Sequence, residues 1–168
     1  MVSKEAQKSI ERFKRFSNLV SSLYRSPNEI TKWRIFLFRW LINLQGTLSP
    51  KIKNTNKEVI YLDGIRTLKV STPNSNSERI ILYFHGGGYA MGSPESHYGL
   101  ISYLADITKT TIFVPDYRLG PEHKYPSQLE DGMKSYEFLI NNLGYEPNQI
   151  ALSGDSAGGN LALITLLN

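Results

Sequence analysis

The sequence predicts an α/β protein whose strands and helices alternate from about residue 57 to the end of the chain. Apolar runs of five or six residues, bounded by turn-forming residues, have the length of buried strands. The segments between them repeat their apolar residues at helical spacing. Two strands run directly into glycine-rich sequences, and open α/β sheets build their sites at the carboxyl ends of strands. We therefore expect a functional site where these two strands end.

Two amphipathic helices are predicted before the sheet begins. The first covers residues 4–25, and the break at Ser26-Pro27 separates it from the second. Asn28 is the expected cap of the second helix, and Gly46 is expected to end it. The apolar part of the second helix is too short to span a membrane.

The charge of this N-terminal segment differs from that of the body. Residues 1–57 hold twelve Lys and Arg against three acidic residues, a net charge of +9, whereas the rest of the chain holds seven against twelve. The segment therefore predicts either a lid over the body or a helix on an anionic membrane surface, with Lys32, Arg34 and Arg39 near the head groups. No recognition motif for nucleic acid accompanies the charge, so nucleic acid is not an expected partner.

The body is expected to begin with an antiparallel hairpin and to continue with parallel strand–helix–strand units. The Asp63-Gly64 pair predicts the tight turn of that hairpin. Ser93-Pro94 predicts the start of one helix, and Ser127-x-x-Glu130 matches a capping box at the start of another. In chain order the expected elements are strands at 57–62, 65–72 and 79–84, a helix from 94 to about 108, a strand at 110–115, a helix from 127 to about 144, a strand at 149–153 and a helix at 158–167.

The glycine-rich sequences that follow two of the strands are HGGGYA at residues 85–90 and GDSAGG at residues 154–159. The second fits G-x-S-x-G, in which a serine is held on a sharp strand-to-helix turn. The first fits a loop whose backbone N–H groups can face a developing negative charge. Together the two motifs predict a nucleophile and an oxyanion hole.

Ser156 is the candidate nucleophile, because Gly154 and Gly158 permit the tight turn that exposes its hydroxyl. The alternative is a glycine-rich strand–helix junction that happens to contain a serine. Asp155 is expected to hold the turn and not to act as a triad acid, since adjacent residues on a sharp turn point apart. The expected oxyanion donors are the N–H groups of Gly86, Gly87 and Ala157, with Gly88 ranked below them.

A third sequence, DYRLGPEHKYP at residues 116–126, lies between the two motifs. With HGGGYA and GDSAGG it makes residues 59–167 resemble the hormone-sensitive-lipase-like group of α/β-hydrolases, mostly bacterial esterases and arylacetamide-deacetylase-like enzymes. Gly120 stands where that group usually has alanine. The resemblance implies an α/β-hydrolase fold, with an N-terminal helical cap segment over residues 1–56 and the amino-terminal part of the catalytic domain over residues 57–168.

The resemblance also implies roles for individual residues. His85 would help to hold the glycine-rich loop, and Asp116, Tyr117 and Arg118 would fix the third sequence, which could otherwise be a solvated turn. His97 and His123 would be structural. None of the three histidines is expected to be the base for Ser156, and their separation argues against a metal site.

The residues after Ser156 raise a question about the triad. Only twelve follow it, with no Asp, Glu or His among them, whereas α/β-hydrolases place the acid and the base after the serine. We therefore expect a fold that is truncated after the turn bearing Ser156 and that carries half an active site.

The expected function is that of a serine carboxylic-ester hydrolase of the esterase or lipase type, such as an acetyl esterase. It would act through an acyl-enzyme on small or medium acyl esters, without a cofactor. Three alternatives remain open: an inactive fragment, a half that assembles with a second polypeptide or with itself, and a binding protein without turnover. No apolar leader follows the charged start, which predicts a cytoplasmic location.

Overall fold

The computed structural model describes residues 32–168 together with the single positions 7 and 11. The chain divides into two compact units, residues 1–36 and residues 37–168. Of the helix expected at residues 4–25, only positions 7 and 11 are described, and both are helical. The rest of that helix and Asn28 lie outside the described residues. The expected domain boundary after residue 56 stays a prediction.

Residues 32–168 form a helix, three consecutive strands and then alternating helices and strands, in the order that the sequence predicted. In chain order the elements are α1 (Lys32–Leu48), β1 (Asn56–Leu62), β2 (Ile65–Ser71), β3 (Asn76–Phe84), α2 (Pro94–Thr108), β4 (Thr110–Pro115), α3 (Ser127–Asn141), a 3₁₀ turn (Pro147–Gln149), β5 (Ile150–Gly154) and α4 (Ala157–Leu166).

The five strands form one mixed sheet in the order β1-β2-β4-β3-β5. β1 pairs antiparallel with β2, and β2 with β4, whereas β3 lies parallel to both β4 and β5. The expected antiparallel start followed by parallel strands is confirmed. The turn between β1 and β2 has a positive φ at both Asp63 (46°) and Gly64 (79°), which matches the twist of a tight hairpin.

Helices cover both faces of the sheet, so the central strands bury side chains on both sides. On one face Phe84 of β3 packs with Leu139 of α3 and Leu161 of α4. On the other face Tyr83 of β3 packs with Ile101 of α2. This double burial explains why the strands are continuous apolar runs in the sequence. The packed core on both faces of the sheet therefore fixes the positions of the ends of β3 and β5.

Helix α1 does not end at Gly46 as expected but continues to Leu48. Gly46 is buried, and a Cβ atom on it would collide with the backbone of Ser96 in α2. The glycine permits a close crossing of two helices and does not terminate one.

Helix α3 begins at Ser127 with Pro126 at its N-cap, so the predicted capping box is wrong. Glu130 instead accepts a hydrogen bond from Nη2 of Arg118 at 2.8 Å, because a cation outside the helix competes for its carboxylate. Ser93 does cap α2 as predicted, and its hydroxyl accepts the Ser96 N–H at 3.1 Å.

Helix α1 leaves large apolar side chains exposed. Trp40 is 53% exposed and Leu48 76%. Among the residues that the structure describes, no helix is long and apolar enough to cross a membrane. The lid and the membrane-surface interpretations of this helix both stay predictions.

Candidate active site

The two glycine-rich motifs begin at neighbouring strand ends. β3 ends at Phe84, immediately before the HGGGYA sequence, and β5 ends at Gly154, two residues before Ser156. Phe84 and Gly154 are direct partners in the parallel pairing of β3 with β5. Motifs that are far apart in the sequence therefore lie side by side at the carboxyl edge of the sheet, where open α/β sheets build their sites.

Ser156 has an uncommon backbone conformation between β5 and α4. Its φ is 51° and its ψ is −119°, a region that residues other than glycine rarely adopt. It is the N-cap residue of α4, but its side chain makes no capping hydrogen bond, and the residue is exposed. The hydroxyl is therefore accessible at the positive end of a helix dipole.

Two glycines of the GDSAGG motif allow this turn to pack against β3. A Cβ atom on Gly158 would overlap the carbonyl oxygen of Phe84, and a Cβ atom on Gly154 would lie 2.6 Å from the same oxygen. Neither glycine has a left-handed φ. The motif thus needs glycine at these positions because the start of α4 lies directly on the end of β3.

Asp155 joins the turn to the glycine loop, by which we mean residues 85–92. Its Oδ1 accepts hydrogen bonds from the Gly86 N–H at 2.8 Å and from the Tyr83 hydroxyl at 3.0 Å, and it lies 3.3 Å from Nε2 of His97. Burial alone would raise the pKa of Asp155, but the His97 contact and these hydrogen bonds lower it to about 2. The carboxylate is ionised at neutral pH and contacts β3, the glycine loop and α2 at the same time.

The contact with Asp155 makes Gly86 a weaker candidate in the expected set of oxyanion donors, which stays a prediction. The Gly86 N–H already donates to this carboxylate, so it is not available to a substrate oxygen. Gly87 and Gly88 follow with φ values of 128° and 60°. Among the hydrogen bonds of residues 32–168, none has the N–H group of Gly87, Gly88 or Ala157 as its donor. The geometry therefore favours Gly88 in place of Gly86.

His85 is fully buried behind the glycine loop. Its ring stacks on that of Tyr117 with the centroids 4.3 Å apart, and the Tyr117 hydroxyl donates to the His85 carbonyl oxygen at 2.6 Å. Nδ1 lies 2.9 Å from the Gly86 carbonyl oxygen, which favours the tautomer that carries its proton on Nδ1. Burial lowers the pKa of His85 to about 4, although the hydrogen bond to Gly86 opposes this effect. A neutral imidazole thus supports the loop from behind.

The neutral, buried state of His85 predicts a loss of stability in mild acid. An unfolded histidine takes up a proton near pH 6.5 and the folded one only near pH 4, so the unfolded state binds more protons between these values. The contribution of His85 to the free energy of unfolding should therefore be complete above pH 6.5 and fall by about 3 kcal/mol as the pH drops to 4. Urea unfolding across this range measures it.

The control for this prediction is an exposed histidine. His85→Gln should lose most of the decline between pH 6.5 and pH 4, whereas His123→Gln, on an exposed loop, should keep it. An identical pH dependence in the wild type and His85→Gln would contradict the prediction.

The other two histidines do not contact Ser156. His97 directs Nε2 to Asp155, and its Nδ1 lies 2.9 Å from the hydroxyl of Ser96. His123 is exposed. In the part of the chain that the structure describes, no side chain hydrogen-bonds the Ser156 hydroxyl, and no group of His, Cys, Asp and Glu is placed to hold a metal ion.

Residues 81–168 match the family of proteins with the alpha/beta hydrolase fold, and this segment contains both glycine-rich motifs. The chain belongs to the α/β-hydrolase fold family.

Esterases and lipases are among the similar proteins. LipF of Mycobacterium tuberculosis, a carboxylesterase/phospholipase, is 36% identical over 121 residues, which are 71% of this chain and 31% of LipF. An acetyl-hydrolase of Streptomyces hygroscopicus is 40% identical over 94 residues, 56% of this chain and 31% of that protein. The crystal structure of an esterase from the bacterial hormone-sensitive lipase family matches with a TM-score of 0.78 at 28% identity.

These similarities confirm the resemblance to the hormone-sensitive-lipase-like group. The last match covers 99% of this chain and 52% of the other chain. The α/β-hydrolase chain thus spans about half the length of this solved esterase and 31% of the length of LipF.

A second loop of this α/β-hydrolase chain, residues 116–126, lies beside the glycine loop, and we call it the DYR loop. Arg118 anchors it to α3, because its Nε and its backbone N–H donate to the carboxylate of Asp131 at 2.9 and 2.8 Å. The Gly120 N–H donates to the Tyr89 carbonyl oxygen at 2.8 Å. The DYR loop is therefore tied to α3 on one side and to the glycine loop on the other.

Two contacts of the glycine loop were not foreseen from the sequence. Tyr89 has a φ of 59°, and its hydroxyl donates to Oδ1 of Asn160 in α4 at 2.7 Å. Arg39 of α1 donates from Nε to the Ala90 carbonyl oxygen at 2.8 Å. The partners are 71 and 51 residues apart in the α/β-hydrolase chain, so no local pattern could have indicated them.

Proposed function

We propose that this chain carries the nucleophile and the oxyanion donors of a serine carboxylic-ester hydrolase. The observation that supports the proposal best is the position of Ser156, an exposed serine with a φ of 51° between a parallel strand and the N-terminus of α4. A serine on such a turn presents its hydroxyl to a substrate. The esterase and lipase names of the similar proteins agree with this class of reaction.

In the proposed reaction, Oγ of Ser156 attacks the carbonyl carbon of an ester, and its proton passes to a general base. The carbonyl oxygen gains negative charge and accepts hydrogen bonds from the N–H groups of Gly87, Gly88 and Ala157. Collapse of this intermediate releases the alcohol, which takes up the proton, and leaves the acyl group on Ser156. Water then attacks the acyl-enzyme in the same way and releases the acid. These steps need no cofactor.

The neighbours of the donors keep them in place before the substrate arrives. Asp155 fixes the start of the glycine loop through the Gly86 N–H, and His85 fixes the same residue through its carbonyl oxygen. Because these donors are already oriented, little reorganisation is needed as charge develops. One lost oxyanion donor typically costs about 2.7–4 kcal/mol of transition-state stabilisation. Asp155 and His85 are therefore assigned supporting roles, along with Gly154 and Gly158.

The general base and the acid that orients it are assigned to polypeptide outside these 168 residues. His85 is fully buried, with Nδ1 directed to the Gly86 carbonyl oxygen, and His97 directs its two ring nitrogens to Ser96 and Asp155. Hydrolysis of small or medium acyl esters, acetyl esters included, would then require that polypeptide, either in a longer chain or as a second partner. The alternative, a chain that is catalytically inactive, is favoured by the same lack of a base beside Ser156 among the described residues.

Covalent labelling tests the role of Ser156. A fluorophosphonate probe forms an Oγ–phosphorus bond and releases fluoride, and its phosphoryl oxygen uses the same donors as an ester. We expect slow labelling of the wild type and none of Ser156→Ala. Ser153→Ala, in β5, is the matched control and should be labelled like the wild type. Equal labelling of Ser156→Ala and the wild type would exclude Ser156 as the nucleophile.

A further inference from the structure

Arg39, on helix α1, binds two loops of the site through one guanidinium group. Its Nε donates to the Ala90 carbonyl oxygen in the glycine loop at 2.8 Å. Its Nη2 donates to the Gly120 carbonyl oxygen in the DYR loop, also at 2.8 Å. Nη1 and Nη2 together hold the carboxylate of Glu122 at 3.0 and 2.8 Å. The planar fork of donors suits arginine and no other side chain.

The contacts of Arg39 with the two carbonyl groups should fix the loops more strongly than its ion pair with Glu122. The side chain of Glu122 is 50% exposed, and ion pairs at exposed positions contribute little to stability. The Arg39 side chain is only 25% exposed, and both of its carbonyl contacts are partly buried. Arg39 should therefore act on the site mainly through Ala90 and Gly120.

Ala90 and Gly120, the two residues whose carbonyl groups bind Arg39, also donate backbone hydrogen bonds to the glycine loop. The N–H groups of Ala90 and Met91 donate to the Gly87 carbonyl oxygen at 3.1 and 2.9 Å. The Gly120 N–H donates to the Tyr89 carbonyl oxygen at 2.8 Å. Arg39 thus links the glycine loop to the DYR loop through its side chain, and the Gly120–Tyr89 hydrogen bond links the same two loops through the backbone. Loop residues with positive φ, such as Tyr89, need such external constraints to persist.

We propose that Arg39 is a positioning residue, which sets the glycine loop so that the Gly87 and Gly88 N–H groups face the substrate oxygen. This inference rests on the proposed function, because it assigns the loop its role as the oxyanion hole. Helix α1 then takes part in forming the oxyanion hole, and does not merely cover the body. The guanidinium group of Arg39 faces Ala90, Gly120 and Glu122.

Labelling kinetics of the full 168-residue chain test the proposal. Arg39→Ala and Arg39→Lys should lower the first-order rate constant for phosphonylation of Ser156 by about 10- to 100-fold, with little change in the concentration of probe for half-maximal rate. Lysine should not substitute, since one ammonium group cannot bind two carbonyl groups and a carboxylate in this geometry. Millimolar guanidinium should restore part of the rate to Arg39→Ala, and methylammonium should not.

Two control variants separate this role from a simple loss of an ion pair. Glu122→Gln removes the charge partner and leaves the carbonyl contacts, so we expect a change of less than about threefold. Lys69→Ala breaks an exposed ion pair with Glu58 on β1 and should have no effect. Wild-type labelling rates in both Arg39 variants would overturn the proposal.

Amide hydrogen exchange gives a second readout that does not depend on labelling. In the Arg39 variants the amide hydrogens of Ala90, Met91 and Gly120 should exchange at least about tenfold faster, whereas those in β3 and β4 should not change. Unchanged exchange in the two loops would refute the positioning role even if the wild type is not labelled. A wild type that resists the probe, with fast loop exchange in the Arg39 variants, would refute the proposed function and leave Arg39 as the residue that sets the loop.

Discussion

The 168-residue chain by itself should hydrolyse short-chain p-nitrophenyl esters roughly 10⁶-fold more slowly than a complete esterase of the same family. Loss of the histidine or serine of a comparable triad lowers kcat by about that factor, and the oxyanion hole and substrate binding retain only about 10³–10⁴ over the reaction in water. Ser156 has no base among its described neighbours, so the same loss applies here. Steady-state release of p-nitrophenol measures it, with Ser156→Ala as the background control.

Complementation sharpens this prediction. A second polypeptide that corresponds to the half of the hormone-sensitive-lipase-family esterase not matched by this chain should restore hydrolysis when it is co-expressed. Restoration should fail with Ser156→Ala in this chain and also when the histidine of the added polypeptide is replaced. Rapid turnover by the isolated chain that depends on Ser156 would show that His85, His97 or His123 serves as the base, and the proposed division of the triad would be wrong.

The isolated chain is also expected to self-associate through the β5 side of its sheet. In the described part of the chain β5 pairs only with β3, so its other edge has backbone N–H and C=O groups without a strand partner. Helix α4, which packs beside β5, exposes Leu163 by 54% and Leu166 by 67%. Both an open strand edge and exposed apolar side chains favour pairing with another chain. Sedimentation velocity should show oligomers that increase with protein concentration.

A matched pair of variants locates the interface. Leu163→Lys places a charge on the exposed face of α4, the helix that packs against β5, and should shift the distribution towards the monomer. Leu100→Lys, on α2, alters a side chain of almost equal exposure (53%) on the other face of the sheet and should not. A compact monomer with a sharp thermal transition at all concentrations would contradict the prediction.

The parts of the fold that depend on neighbouring residues could be predicted from the sequence. The hairpin turn at Asp63-Gly64 and the cap at Ser93 are examples, because each depends on a few adjacent residues. The predictions that Gly46 ends α1 and that Ser127 opens a capping box were wrong, because both positions depend on contacts with residues distant in the sequence. Gly46 is required by the backbone of α2, and the Glu130 carboxylate expected to complete the Ser127 capping box is held by Arg118.

The candidate site could be predicted in its position but not in its hydrogen bonds. The motifs indicated which strand ends carry Ser156 and the glycine loop, since both depend on chain order and strand pairing. Which glycine N–H groups are available depends on Asp155, and this contact exists only after β3 and β5 have paired. The contacts of Arg39 with the glycine loop and the DYR loop could not be predicted, because its partners there are backbone carbonyl groups, which every residue possesses.

The hydrogen bond between Gly86 and Asp155 has a consequence for recombination between related esterases. The glycine loop and the turn that bears Ser156 depend on each other across 69 residues of sequence, because Asp155 holds the loop that carries the proposed oxyanion donors. The two segments should therefore come from the same parent. A crossover placed between residues 92 and 154 would join a loop from one parent to a turn from the other. Chimeras of this kind should retain a formed glycine loop only when both parents present the same acceptor before the serine, so libraries built from this chain gain most from crossovers outside that interval.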